Sequence, residues 1–244
     1  MKRTRRTWTM NTADPAGERL LRQALVEPRR FHERGAPYGL LQFYFEGRLS
    51  LETLRPLLKS DDVFVQATAS FIASELGHVA QPLIDDIIPL LGAPMARVVW
   101  DAMDSLTVCA TGEHLATFAH VVGMLASRDD TLRKHAMSLV SRAELPQIEA
   151  ALCTFEARMP RDDHHERGLA VLMDARQVDA EKIITLMRDP SPLLRRYGAI
   201  AAKRLLRQLP ELIELAGTSD DPDLRDFHDA SRRELDATRE QPGD

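Results

Sequence analysis

The densest group of side chains able to hold a metal or move a proton is the run Asp162, Asp163, His164, His165 and Glu166. It offers carboxylate oxygens and imidazole nitrogens, the ligand types of zinc and of general acid–base chemistry. Its spacing works against both, because the ligands must converge while neighbouring helical residues point about 100° apart. The run therefore reads as an acidic helix start followed by two exposed histidines. His114 and His120, six apart, face different sides of a helix. Cys109 and Cys153 lack metal or redox spacing and read as reduced packing residues. No glycine-rich nucleotide fingerprint, P-loop or His-Glu-x-x-His occurs, and no nucleophile stands beside a base. The expectation is a protein that is not an enzyme and uses no cofactor or metal.

The elements that would position any site are helices. Among 244 residues only 13 are aromatic, while Ala and Leu are abundant, which favours helix over strand. No 18-residue apolar run spans a membrane. The start has a basic stretch without an apolar one behind it, so it makes a poor secretory signal, and a cytoplasmic location is expected. The charge of −5 is uneven. Residues 1–35 carry 9 Lys/Arg against 4 Asp/Glu, whereas residues 36–244 carry 23 against 33. Such an acidic body repels phosphate backbones and attracts basic surfaces.

A repeat organises most of the chain. An apolar anchor opens a helix and a small residue follows four positions later: Val65 and Ala69, Val98 and Ala102, Leu132 and Ala136, Leu194 and Gly198. Leu224 is a further anchor with His228 at the small position, and a weaker copy starts at His165. The clear anchors are separated by 33, 34, 62 and 30 residues, with 62 counting as two units. Before each anchor comes an apolar helix, such as "LETLRPLL" or "AEKIITLM", and then a turn, "GAP" before Val98 and elsewhere one containing Asp, which suits a helix start. No unit of this kind buries its apolar face alone, so the units must stack.

These residues resemble the HEAT repeat, whose turn Asp is followed by Val-Arg or Leu-Arg and then Ala. "SRDDTLRKHA" matches well, "DPSPLLRRYG" and "DDPDLRDFH" match in part, and the first two units depart with Gln66 and Val99 at the Arg position. The resemblance covers residues 49–238. It implies an all-α, right-handed α-solenoid of about five to six helical hairpins. Residues 15–48, with Tyr38, Phe43, Tyr44 and Phe45 between Pro37 and Gly47, read as an N-terminal helical cap. Residues 1–14 read as a flexible basic segment and 239–244 as a flexible tail.

The resemblance also implies that the second helices line a concave surface. Two past the anchors lie Trp100, Lys134, Arg167, Arg196 and Asp226, and three past them lie Thr68, Asp101, His135, Tyr197 and Phe227. Trp100 shares a helical face with Arg97 and Asp104. Trp100, Asp101, Asp104, Lys134, His135, Arg167, Arg196 and Tyr197 are thus the candidate partner-binding residues. Arg196, Lys203 and Arg207 share a face that could meet an acidic group. The acidic pairs Asp61–Asp62, Asp129–Asp130, Asp162–Asp163 and Asp220–Asp221 fall in equivalent turns, read either as repeated caps or as a ridge for a basic partner.

Three functional classes follow from the resemblance. Small acidic HEAT proteins include immunity proteins of polymorphic toxin systems, which bind and block a cognate toxin domain; a monomer that grips a basic toxin domain is the leading expectation. The alternative is a nucleic-acid-binding protein similar to HEAT-like alkylpurine DNA glycosylases, which the acidic body disfavours. A third class, HEAT-like bilin-attaching proteins, finds no pigment-pocket signal in the residues.

Overall fold

The computed structural model describes residues 14–158, 162–174 and 179–240. Of the segments expected to be flexible, residues 1–13 and 241–244 lie outside the described residues. The described residues are predominantly helical and contain no strand, an all-α, repeat-like arrangement. No helix among them is long and apolar enough to cross a membrane. The chain divides into two compact units, Met1–Cys109 and Ala110–Asp244.

The first unit holds α1 (Pro15–Val26), α2 (Pro28–Glu33), α3 (Ala36–Phe45), α4 (Arg55–Leu58), α5 (Val63–Leu76), α6 (Ile84–Ile87) and α7 (Ala96–Cys109). Helices α1–α3 pack on one another and on α5, the place of a cap. Gly47, at φ +68°, closes α3 in a backbone region that other residues avoid. The antiparallel partners of α5 and α7 are broken helices. "VAQPLIDDIIPLL" forms 3₁₀ turns at Gly77–Leu83 and Ile88–Gly92 on either side of the short α6. Pro82 and Pro89 fall in those turns and lack the N–H that a continuous α-helix needs.

The second unit holds α8 (Phe118–Gly123), α9 (Asp130–Arg142), α10 (Leu145–Glu156), α11 (Asp163–Asp174), α12 (Ala180–Met187), α13 (Pro192–Arg204), α14 (Glu211–Gly217) and α15 (Pro222–Glu240). Helices α11, α13 and α15 follow one another as a stack of repeats would, but α9 packs against α13 and α15. This is a departure from a simple row, in which each repeat meets only its neighbours.

The six helices carrying the anchors are α5, α7, α9, α11, α13 and α15. Each begins two residues before its anchor, and Val65, Val98, Leu132, His165, Leu194 and Leu224 are all at most 7% exposed. Asp residues start several of them. Asp62 accepts from the Phe64 and Val65 amides, Asp129 from Leu132, and Asp162 from His164 and His165. Such caps satisfy amides that have no partner within the helix.

Candidate functional site

An anchor and the small residue four positions on face inward, and the position three past the anchor lies on the same face of the helix. The structure accordingly buries that whole column: Thr68, Asp101, His135, Gly168, Tyr197 and Phe227. Asp101, His135 and Tyr197, expected on an open concave surface, are therefore buried, and none is placed to touch a partner directly.

What the column does instead differs between the units. In the first, Asp101 on α7 accepts a hydrogen bond from Ser70 of α5 at 3.1 Å and pairs with Arg97 at 2.9 Å. Burial raises its carboxyl to about 6 despite those partners. In the second, Tyr197 on α13 meets His165 of α11, with Oη 2.7 Å from Nδ1. Phe155 of α10 stacks on the His165 ring at 4.3 Å, and Arg158 lies 4.3 Å from the Phe155 ring. The Tyr197 ring lies against the bare Cα of Gly168, where a Cβ would come within 2.1 Å of it. Burial lowers His165 to about 4 and raises Tyr197 well above its usual value. His165, expected to be exposed, is thus a core histidine, while His164 beside it is exposed as expected.

The position two past the anchors lies nearer solvent in every repeat but the first, where Ala67 is buried. Trp100 and Asp104 are half-buried on one face of α7, with the Arg97 side chain 53% exposed. Lys134 reaches Asp226 at 2.7 Å and Asp130 at 3.4 Å, and Arg167 pairs with Asp189 at 3.3 Å. Arg196 is largely covered. It donates to the Leu125 carbonyl at 2.9 Å and pairs with buried Asp223 at 3.2 Å. Arg133 binds the same carboxylate at 2.7 Å, so one Asp fastens α9 and α13 to α15.

The rest of the basic face on α13 is also engaged. Lys203 pairs with Glu234 at 2.7 Å, and Arg204 donates to the Ala143 carbonyl at 2.7 Å, leaving Arg207 exposed. These cations connect helices and do not form a ready anion site. Among the described residues no group of three His, Cys, Asp or Glu side chains is arranged to hold a metal.

The acidic pairs divide their work. Asp62, Asp129 and Asp162 cap helices, and Asp221 accepts from the Asp223 amide at 3.0 Å. The non-capping member of each pair, Asp61, Asp130, Asp163 or Asp220, is exposed. Capping accounts for one carboxylate per turn and leaves the other on the surface. The repeat pattern passed over a further exposed feature, Leu25 and Val26 at the end of α1, which are 55% and 72% exposed. Two adjacent apolar residues can both lie in a buried helical stripe, as Leu40 and Leu41 do, so the pair by itself did not mark an exposed site.

No known protein-family model and no curated protein matches the chain. Three solved structures of engineered proteins from the Northeast Structural Genomics Consortium are similar to it in part. One is 15% identical with a TM-score of 0.41, covering 77% of this chain and 96% of its own. A second is 18% identical with a TM-score of 0.39, covering 75% and 97%. The third is 15% identical with a TM-score of 0.44, covering 90% and 68%.

Proposed function

We propose that the chain is a non-enzymatic, HEAT-like protein-binding module, most concretely an immunity or inhibitor protein that neutralises a basic toxin domain. The observation that carries this reading is the division of labour in the acidic turns. One carboxylate of each pair caps a helix while the other is exposed: Asp61, Asp163 and Asp220 present surplus negative charge, and Asp130 is shared with Lys134. Exposed charge of one sign steers a partner of the other and sets its orientation, a role that capping does not require. The engagement of Arg196, Lys203 and Arg204 within the second unit supports it from the other side, since few of the cations on α13 remain for a phosphate backbone. Within the first unit, Trp100, half-buried on one face of α7 with Asp104, is the aromatic suited to anchor a partner.

A tagged pull-down from the native host, with mass spectrometry and the 260/280 nm absorbance ratio, tests this. A stoichiometric basic protein partner is expected. Reversing Asp61, Asp130, Asp163 and Asp220 to Lys should weaken its capture most at low salt, where exposed charges act furthest. Nucleic acid retained through moderate salt, with no protein partner, would overturn the reading.

A further inference from the structure

The first unit carries a surface of opposite character. Helix α1 stops at Val26, and the backbone turns at Glu27 (φ −129°, ψ 58°) before α2 begins at Pro28. The turn opens a slot of about 370 Å³ lined by the apolar Val26, Phe31 and Ala36 and by the polar Gln23, Glu27, Arg30 and Arg34. Phe31 is buried at 5% exposure, while Val26 is 72% exposed and Leu25 beside it 55%. Arg30 reaches Glu27 at 3.0 Å in an exposed pair, which holds it only weakly. Arg34 is exposed and forms no ion pair among the described residues.

The charge around the slot is equally distinct. Residues 15–34 contain five Arg against three Glu, whereas residues 35–109 contain four Lys/Arg against nine Asp/Glu. A basic, apolar segment is thus followed in the same unit by an acidic one. An inorganic anion has no use for a floor of Val26, Phe31 and Ala36. A bilayer surface is flat and is held by clusters of about four to eight cations, more than this concave slot gathers on its rim. A side chain of a peptide fits both features: the apolar group fills the slot and flanking carboxylates meet the guanidiniums, the geometry for which Arg is suited.

We propose that the slot between α1 and α2 docks an acidic peptide segment of a partner protein through one aliphatic or aromatic anchor side chain. The segment's carboxylates pair with Arg30 and Arg34 while its anchor covers Val26 and Phe31. This surface is independent of the acidic turns, so either can fail without the other.

Fluorescence anisotropy on the full chain decides it, with a short labelled peptide carrying a single Phe between glutamates. Binding should weaken about tenfold or more in Val26→Glu and in Arg34→Glu, the scale of a lost anchor. Both sites are exposed, so helical content and melting temperature should stay unchanged, and Arg207→Glu should leave binding intact. A peptide with Ala in place of Phe should bind at least about tenfold more weakly. Equal binding of the Ala peptide, binding insensitive to both variants, or none at millimolar peptide would overturn the proposal. So would the same variants abolishing sedimentation with phosphatidylserine vesicles, or self-association of the chain, while no peptide binds.

Discussion

The two units meet the same packing problem with different chemistry. Both bury the position three past the anchor of each second helix. The first fills it with Thr68 and a carboxylate, Asp101, whose partner Arg97 reaches out to solvent. The second fills it with His135, Gly168, Tyr197 and Phe227, and places its carboxylate elsewhere, on Asp223 between two covered guanidiniums. Charge in the first unit is therefore buried at one end and wet at the other, whereas in the second both ends of the Asp223 pairs are enclosed. The difference matters energetically. A cation able to return to water loses little when its partner goes, and an enclosed one is left uncompensated.

The largest effect follows directly. Asp223→Ala strands Arg133 and Arg196, whose side chains are 17% and 12% exposed, and should cost about 3–5 kcal/mol in a denaturant titration. Its counterpart in the first unit is Asp86, which ties Arg55 and Lys59 of the α4 region to α6. Those cations are 33% and 64% exposed, so Asp86→Ala should cost about 1 kcal/mol or less. Equal costs would break the comparison, for they would mean that enclosure of the cation is not what decides.

Next in size is Gly168→Ala. A helix interior ordinarily gains from this change by roughly 1 kcal/mol. Here the added methyl would lie 2.1 Å from a carbon of the Tyr197 ring, which is fully buried and tied to His165. Neither ring has room to retreat, and overpacking of this kind should cost about 3 kcal/mol, read as a lower denaturation midpoint. A variant that melts at the wild-type temperature would show that α11 and α13 are not locked by this contact.

How much of this was legible in the sequence depends on the range of the interaction. The anchors gave the register of six helices, and the turn Asp gave the starts of α5, α9, α11 and α15, because both are local consequences of helical periodicity and capping. Position three past the anchor neighbours the anchor's own face around the helix, which the linear pattern of polar residues conceals. His165 shows the same conflict. As one of two adjacent histidines it looked exposed, yet as the anchor of the weak copy it had to be buried, and the repeat register prevailed. The pairing of Arg133 and Arg196 with Asp223 spans 90 and 27 residues, and nothing local marks it. The slot at α1 and α2 depends on how two helices meet at a turn and left only the Leu25–Val26 pair as a trace.

The buried titratable groups should give the units opposite responses to pH. Asp101 has its pKa raised from 3.8 to about 6, so its contribution is complete below 3.8 and is lost as pH rises through 6. His165 has its pKa lowered from 6.5 to about 4, so its contribution is complete above 6.5 and is lost as pH falls through 4. Between pH 4 and 6.5, the opening free energy read from amide exchange, after division by the intrinsic exchange rate at each pH, should rise in α7 on acidification and fall in α11, each by about 1–3 kcal/mol. Asp101→Asn should flatten the first trend alone. Parallel trends in both helices would mean that some other set of groups governs acid stability.

The smallest effect has the opposite sign and comes from a second glycine in a helix. Gly39 lies inside α3, and a Cβ built on it meets nothing within 4 Å. Its backbone is outside the left-handed region, since the glycines with positive φ are Gly35, Gly47, Gly77 and Gly112. Gly39→Ala therefore restricts the unfolded chain without a clash in the folded one, and should stabilise the first unit by about 0.5–1 kcal/mol. Set beside Gly168→Ala, the same chemical change should raise one midpoint and lower the other. The sign is fixed by the neighbour: open solvent over α3 and an enclosed tyrosine ring over α11. A loss of stability at Gly39 would mean that the exposed face of α3, with Tyr38 and Phe45, is covered by something that leaves no room for a methyl group.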